Sequence, residues 1–320
     1  MRHSIQVPSP QAPNNWAGTS WSFRHQQFGD VTEQAGMVSG WQIACSQLGR
    51  GRYAAHSETL SIGRITIARD RINLPIGQES VSPTGRVSII FPLRSEGGWR
   101  VDGHRETDAV VAMRQGQTHL LVAPGSSSEL LHVEFPSRLL GPDIDPAVIQ
   151  SRRLRTEDGF LRDWLLCLLS QARAGIVHGN LATAALEEIL LIRLSACARA
   201  FAPAPSEVVV RTAAIDLLAE LERSLGKDDD IPDTLGALCT HKSLAFGELA
   251  SATHAAFGQA PDRWYRMARL NGVHRELKAR APGLTVTRAA TRWGFYHLGR
   301  FSSDYAAFFG QHPCQTLRPS

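Results

Sequence analysis

The sequence predicts an α+β protein with a β-rich N-terminal domain, a helical pair and a C-terminal all-α domain that contains two helix-turn-helix units. Three observations predict this order. Short alternating or apolar segments between residues 25 and 140 are typical of strands. Apolar residues at helical spacing take over from about residue 145. The chain then closes on a helix, a tight turn and a second helix, over residues 285–318.

Strands and turns alternate along the β-rich segment. Residues 64–67 and 131–135 alternate polar and apolar side chains, whereas residues 87–93 and 118–122 are almost continuously apolar. Short turn-forming segments rich in Gly, Pro and Asp separate them, at residues 83–85, 97–98, 102–103, 115–116 and 124–125. Short strands at this spacing predict a sandwich or a barrel.

After the β-rich segment, Asp145 followed by Pro146 predicts a helix start, with Asp as N-cap and Pro at the first helical position. Two further helices are predicted after it. The first carries a wide apolar stripe, and the second begins at Asn180. An apolar stripe does not show which surface it packs against. The two alternatives are the β domain of the same chain and a second copy of the protein. The stripes comprise Leu161, Trp164, Leu165, Leu168 and Leu169 in the first helix, and Leu181, Ala185, Ile189 and Ile192 in the second.

Proline spacing sets the domain boundary. Pro203 and Pro205 favour an extended segment, so residues 202–206 are predicted to be a linker. The predicted organisation is a flexible tail (1–24), a β-rich domain (25–140), a helical connector or dimerisation segment (141–201), this linker and a C-terminal domain (207–320).

The last run of the chain carries the most specific pattern. Thr285 is a fair N-cap, and Gly294 supplies the left-handed residue that ends the first short helix. Trp293 and Phe295 flank this glycine and are predicted to be buried, whereas Arg292 is predicted to lie on the exposed side. The second helix shows apolar residues at i, i+3 and i+4 steps and ends at Gly310. This pattern is that of a helix-turn-helix that places its second helix in the DNA major groove.

The same residues carry a family resemblance. The pattern Ala289-Ala290-x-x-x-Gly294-Phe295, followed by Phe301 and by Phe309-Gly310-x-x-Pro313, resembles the C-terminal signature of the AraC/XylS transcription regulators. The resemblance extends upstream through Phe257-Gly258-x-x-Pro261 and Arg269-Leu270, and covers residues 207–318. Residues 269–277 and 292–301 resemble the ethanolamine-operon regulator branch.

The resemblance implies a function as well as a fold. It implies a cupin-like barrel that binds a small-molecule effector, helices that form a homodimer, and a C-terminal domain that binds promoter DNA, with RNA polymerase as a further partner of an activator. We therefore expect a sequence-specific transcription regulator. The alternative is a degenerate AraC-like protein that binds a partner protein without reading DNA.

The family pattern points a small set of side chains of the second unit at DNA. Arg300 can make two hydrogen bonds to guanine, and Ser303 can bond to a base or a phosphate. His297, at the helix start, suits a phosphate; Leu298 and Gly299 complete the set. The alternatives are a surface ion pair between Arg300 and Asp304 and simple exposure of His297.

The first unit is chemically weaker. Its groove-facing positions are Gly247, Ala250 and Ser251, with His254 one turn later. None of these side chains can make a bidentate hydrogen-bonded contact with a base pair, as Arg, Asn or Gln can. Thr253 stands where the family pattern has a core aromatic. We expect a weak reader that braces the domain or touches the backbone; a register shift of one turn is the alternative.

Charge is distributed unevenly. Residues 261–318 hold ten Arg or Lys against three acidic residues, whereas residues 207–258 hold four against nine. A basic patch confined to the last subdomain is what contact with phosphates requires.

Composition excludes several other classes. There is no apolar run long enough for a membrane span, and the N-terminal 21 residues lack a signal-peptide core. Five scattered cysteines without a C-x-x-C pair suit a reducing cytoplasm.

Catalytic and cofactor motifs are missing from the sequence, so we expect neither an enzyme nor a cofactor or metal site. His56, Glu58 and His132 are only fragments of a metal-binding cupin pattern, and exposed or hydrogen-bonded strand residues are the more common explanation. Four aromatic residues could line a barrel pocket, although core filling is the favoured interpretation: Tyr53, Phe91, Trp99 and Phe135.

Overall fold

A computed structural model describes residues 5–6, 20–36, 41–81, 83–106, 110–113, 118–140, 153–154, 159–176, 180–200, 213–227 and 231–318. The predicted linker at 202–206 and the helix start predicted at Asp145 lie outside these residues. The described part confirms the predicted order of a β-rich domain, a helical pair and a helical C-terminal domain.

Two antiparallel sheets form the N-terminal domain. The larger sheet has the order β1-β2-β4-β5-β12-β7-β10-β13, and the smaller sheet has the order β3-β6-β11-β8-β9. The strands are β1 Ile5–Gln6, β2 Trp21–Phe28, β3 Gln42–Gln47, β4 Ala55–Ile62, β5 Ile65–Ile72, β6 Ile76–Val81, β7 Arg86–Ser95, β8 Trp99–Val101, β9 His104–Glu106, β10 Val110–Met113, β11 Thr118–Ala123, β12 Ser128–Pro136 and β13 Arg153–Leu154. Strand β2 thus begins four residues inside the segment predicted to be a tail.

The alternation along the strands sends side chains into two separate cores. The inner faces of the two sheets share one cluster, which contains Tyr53 and Trp99. The other face of the larger sheet packs Phe91 and Phe135 against the two helices that follow. All four aromatic residues therefore fill cores, and Phe91 and Phe135 do not face the space between the sheets.

The helical pair comprises α1 (Gly159–Arg173) and α2 (Asn180–Ala200). The stripe predicted on α1 is buried or partly buried against the larger sheet. On α2 the packed face is Leu190, Leu191 and Leu194, whereas Ile189 and Ile192 are 50% and 67% exposed. The stripe singled out on α2 is thus not the face that packs on the β domain.

Among the described residues, seven helices form the C-terminal domain around one core. Within the described residues, none of the helices is both long and apolar enough to cross a membrane. The bounds are α3 Ala213–Lys227, α4 Leu235–His241, α5 Phe246–Phe257, α6 Pro261–Ala279, α7 Val286–Arg292, α8 Leu298–Phe309 and α9 Pro313–Leu317. Helices α4 and α5 form the first helix-turn-helix unit, α7 and α8 form the second, and α6 connects them.

Helix α6 is fastened to the β domain by buried polar contacts. The side chain of Asn271 accepts a hydrogen bond from the Gln47 backbone N–H (2.9 Å) and donates one to the Gln47 carbonyl (2.8 Å). His274 lies between the Asp30 carboxylate (2.9 Å) and the Tyr305 hydroxyl (2.6 Å). Burial opposes ionisation of Asp30, but hydrogen bonds from His274 and Thr32 hold the pKa of Asp30 well below its ordinary value. The connector helix is therefore a structural bridge between the domains.

Candidate nucleic-acid interface

The second helix-turn-helix unit is built by local signals that the sequence displays. The Thr285 hydroxyl accepts a hydrogen bond from the Arg288 backbone N–H at 3.1 Å and so caps α7. Gly294 follows the helix with a φ of +72°. A Cβ at Gly294 would also lie 2.6 Å from the Ile231 carbonyl oxygen, so both conformation and space require glycine here.

The turn is held by an aromatic side chain beneath it. Trp293 is buried, and its indole N–H donates to Glu276 at 2.9 Å. Phe295 was predicted to be equally buried but is only partly buried; it packs against Phe301 (ring centroids 5.0 Å apart) and the Arg269 guanidinium. The turn between α7 and α8 is therefore flanked by one buried aromatic ring, that of Trp293, and one partly buried ring, that of Phe295.

The amino-terminal half of α8 presents the predicted DNA-facing residues to solvent. His297 occupies the N-cap position without a side-chain capping bond, and Leu298, Gly299, Arg300 and Ser303 follow on the exposed surface. The opposite face of α8 is the buried set Phe301, Tyr305, Phe308 and Phe309. The apolar periodicity predicts the burial of Phe301, Tyr305 and Phe308 correctly, but it also places Leu298 on the apolar face, and Leu298 is 40% exposed.

Arg300 is a long, exposed side chain on this surface. It is 78% exposed, and its Nε lies 3.9 Å from Asp304, at the outer limit of an ion pair. Asp304 makes its closer contact with Arg266 from α6. Because Asp304 is held by another arginine, Arg300 is weakly restrained and can turn toward a ligand. The Ser303 hydroxyl donates to the Gly299 carbonyl at 3.2 Å, which occupies its proton within its own helix.

The first unit exposes small or singly hydrogen-bonding side chains on α5. Gly247, Ser251 and His254 of α5 are exposed and Ala250 is partly exposed. Thr253 is fully buried and bonds to the Ala250 carbonyl, so it occupies the core position despite its polarity. Helix α5 is buried on the face that the predicted register requires.

Several basic residues of the patch already bond to other groups of the protein. Arg292 was predicted to be on the exposed side, but it donates to the Gly226 carbonyl (3.0 Å) and pairs with Glu276 (3.3 Å). Lys278 pairs with Asp30, and Arg275 donates to Ser46. The excess of positive charge counted along the sequence therefore overstates the charge available to phosphates.

Arg269 is the residue whose role the sequence did not reveal. It is buried on α6 and donates to three backbone carbonyls, those of Trp293 (2.9 Å), Gly294 (3.1 Å) and Asp233. Asp233 precedes the N-cap of α4, whereas Trp293 and Gly294 form the turn before α8. One side chain thus joins the two helix-turn-helix units. The only sequence signal was its place in the Arg269-Leu270 motif.

The residues considered for a metal do not assemble. Register places His132 opposite Ala68 and Glu58 opposite Arg69, so the two side chains lie on opposite faces of the larger sheet. Glu58 pairs with Arg173 and Arg71, while His56 stacks on His25. Burial lowers the pKa of His132 to about 4, helped by Arg86. Within the described part of the chain, no group of three such side chains is positioned to hold a metal.

Comparison with known proteins adds to this geometry. A family model described as a helix-turn-helix domain matches residues 246–319. The probable thc operon regulatory protein of Rhodococcus erythropolis is 24% identical over 260 residues, which is 77% of this chain and 75% of that protein.

Among solved structures, unsaturated fatty acid-bound wild-type ToxT from Vibrio cholerae strain SCE256 is 12% identical. The alignment covers 88% of this chain and 95% of that one, with a TM-score of 0.31. ToxT from Vibrio cholerae O395 is 11% identical over 88% of this chain and 98% of its own, with a TM-score of 0.30. Superpositions at this level support no statement about function.

The capped helix α7, the glycine turn, the exposed start of α8 and the matched family model agree with one another. By this match and this geometry, residues 246–319 of the chain carry a helix-turn-helix domain.

Proposed function

We propose that this protein is a sequence-specific DNA-binding transcription regulator of the AraC/XylS family. The observation that carries the proposal is the exposed amino-terminal surface of α8, where Arg300 projects from a rigid helix-turn-helix core. A helix presented in this way fits the major groove, and an arginine fork matches O6 and N7 of guanine. Leu298, Gly299, Ser303 and His297 would form the surrounding contacts.

The spacing of the two units supports binding along one face of DNA. Helix α6 has 19 residues, which at 1.5 Å per residue is about 28 Å. This length is comparable with the roughly 34 Å that separates successive major grooves. The bond network of Arg269 and the contacts of α6 with the β domain would keep this separation fixed.

The first prediction concerns Arg300. Replacing it with alanine should weaken specific binding by about 1–3 kcal/mol and relax the preference at one guanine, because the bidentate contact is lost. Fluorescence anisotropy with the protein's own upstream region and with single-base variants measures both effects. Arg263→Ala, an exposed arginine on α6, serves as the charge-matched control. An unchanged base preference in Arg300→Ala would remove this residue from the reading surface.

The second prediction concerns the asymmetry of the two units. Ser251 and His254 of α5 offer single hydrogen bonds, so we expect base-specific contact in one major groove per monomer and mainly backbone contact in the next. Ser251→Ala should therefore cost less affinity than Arg300→Ala. Footprinting on an operator with substitutions in each half-turn measures this difference. Equal selectivity in both grooves would show that α5 reads bases.

The β domain is the proposed receptor for a small-molecule effector. Helix α6 contacts it through Asn271 and His274, so a ligand that prefers one arrangement of these elements would change DNA affinity. We further propose a cytoplasmic homodimer that acts with RNA polymerase, in which Ile189 and Ile192 of α2 are available to a second copy. Regulation of an ethanolamine operon is proposed only on the resemblance of residues 269–277 and 292–301.

A salt titration separates the proposal from its alternative, an interaction protein that binds a partner without reading DNA. The exposed ring of Phe246 on the first unit, 55% accessible, favours that alternative. A DNA reader should lose affinity steeply with salt and discriminate its own upstream region from unrelated DNA. Binding without such discrimination would favour the interaction protein.

A further inference from the structure

The two helix-turn-helix units have the same local construction. Thr234 and Thr285 cap α4 and α7, and each hydroxyl accepts a hydrogen bond from the backbone N–H three residues later. Both helices have seven residues, and each is followed by a residue with positive φ, Ser243 at +50° and Gly294 at +72°. The first unit therefore repeats the second, although their sequences differ.

The longer helices of the two units correspond position by position. Helices α5 and α8 both have 12 residues, and they begin at Phe246 and Leu298. Each ends at a left-handed glycine, Gly258 or Gly310, whose N–H donates to the carbonyl four residues earlier at 2.9 Å. A proline three residues beyond each glycine begins the next helix. The start and the end of the two helices thus fix one register.

Burial agrees with this register. The fourth position of each helix, Leu249 or Phe301, is buried in the domain core, whereas the first three positions of each helix are exposed. The third position is the charged one on this surface. It is Glu248 in α5 and Arg300 in α8.

Glu248 therefore occupies on α5 the place that Arg300 occupies on α8. It is not among the α5 positions that the family resemblance points at the groove. Its side chain is exposed in the first turn of the helix, and among the described residues none forms an ion pair with its carboxylate. The carboxylate is thus available to a ligand on this surface.

A carboxylate has a narrow choice of bases in the major groove, because it only accepts hydrogen bonds. Guanine and the oxygen of thymine present acceptors there and would repel it. Adenine presents an amino group next to an acceptor, whereas cytosine presents its amino group without an adjacent acceptor. A glutamate at this position therefore favours cytosine.

We propose that Glu248 reads one cytosine in the groove occupied by α5, by accepting a hydrogen bond from its exocyclic amino group. This inference rests on the proposed function. It places a C·G pair about one helical turn, roughly 10 base pairs, from the guanine that Arg300 contacts. One hydrogen bond selects less strongly than an arginine fork, so the other contacts of α5 remain mainly with the DNA backbone.

A reading role for Glu248 differs from a structural one in a measurable way. Near phosphates the carboxylate opposes binding to any DNA, so its removal should raise the affinity for unrelated sequences while it erases one base preference. A glutamate that only stabilises the positive end of α5 would behave differently. Its removal would lower stability and leave base preference unchanged.

The test measures fluorescence anisotropy of the full chain with its own upstream region, in which each base pair of the footprint is replaced in turn. For the wild type, replacement of one C·G pair in the α5 groove should weaken binding by roughly fivefold, the lower end of the usual cost of one mismatch. Glu248→Ala should remove this preference. Glu248→Gln should move it to adenine, and Glu248→Arg should move it to guanine.

Asp262→Asn is the matched control, because Asp262 is an exposed acidic residue in the first turn of α6. It should change the affinity for all sequences alike and leave every base preference in place. Thermal unfolding of each variant shows whether the domain remains folded, and the guanine preference that depends on Arg300 shows whether α8 still reads DNA.

Each outcome decides the inference. A wild type without a cytosine preference in the α5 groove, or the same preference in all three Glu248 variants, would overturn it. A shift of preference that also occurs in Asp262→Asn would assign the effect to general charge and overturn it as well. If the guanine preference persisted through either result, only this inference would fail. Absence of any discrimination by the wild type would refute the proposed function, and this inference with it.

Discussion

Trp293→Ala should lower the free energy of unfolding by about 3–5 kcal/mol, the range for removal of a buried large aromatic. Trp293 is 4% exposed and its indole N–H donates to Glu276 at 2.9 Å, so the alanine variant leaves a cavity and removes one of two contacts of this carboxylate, the other being with Arg292. This loss is a large part of the roughly 5–15 kcal/mol by which a domain is stable. Urea unfolding of the full chain, followed by far-ultraviolet circular dichroism, measures it.

A second site makes the test specific to the packing of this ring. A Cβ added at Gly272 would lie 2.1 Å from the Trp293 ring, so Gly272→Ala alone should destabilise the protein by overpacking, by about 1–3 kcal/mol. In the Trp293→Ala background the same methyl group enters the vacated space. The two changes should therefore cost less together than the sum of their separate effects.

Arg288→Ala is the matched control, since its side chain is exposed on α7. It should leave the unfolding midpoint nearly unchanged. If Arg288→Ala unfolded the protein and Trp293→Ala did not, the register of the second helix-turn-helix unit would be wrong. Strict additivity between Gly272 and Trp293 would show that the two do not share a contact.

Sequence reasoning succeeded where the signal is local. The Thr285 cap, the left-handed Gly294 and Gly310, and the buried face of α8 all follow from residues within four positions of one another. The exposed positions of α5 and α8 then follow from helical geometry alone. For this reason the candidate DNA-facing surface was predicted residue by residue, whereas its contacts with DNA remain predictions.

Prediction from the sequence failed where a residue contacts a partner that is distant in the chain. Arg292 was assigned to the exposed side because its carbonyl and carboxylate partners, Gly226 and Glu276, lie 66 and 16 residues away. On α2 the periodicity fitted two overlapping apolar faces, and the larger sheet selected the one with Leu190. The polar residues of α6 look like a solvated face in the sequence, yet Asn271 and His274 are buried against the β domain.

Arg269→Met should be comparably destabilising, by about 3–5 kcal/mol. Methionine keeps an unbranched chain but has no donor, so the buried carbonyls of Asp233, Trp293 and Gly294 lose their shared partner. Each hydrogen bond to a charged group is worth about 1.5–3 kcal/mol, and the avoided burial of the guanidinium charge offsets part of the sum. Loss of its contact with the Phe295 ring, 4.2 Å away, adds to the effect.

Arg269→Met should affect DNA binding as well as stability, because of where the three carbonyls lie. Since they belong to the start of α4 and to the turn before α8, Arg269→Met should also weaken DNA binding at temperatures where the protein remains folded, because the two units lose their fixed relation. Arg269→Lys should be intermediate, as one ammonium group lacks the planar fork that spans three acceptors. Arg263→Met on the exposed face of the same helix is the control for charge and helix propensity. If Arg269→Met melted with the wild type, or if Arg263→Met lost as much stability, the buried guanidinium would not be what joins the two helix-turn-helix units.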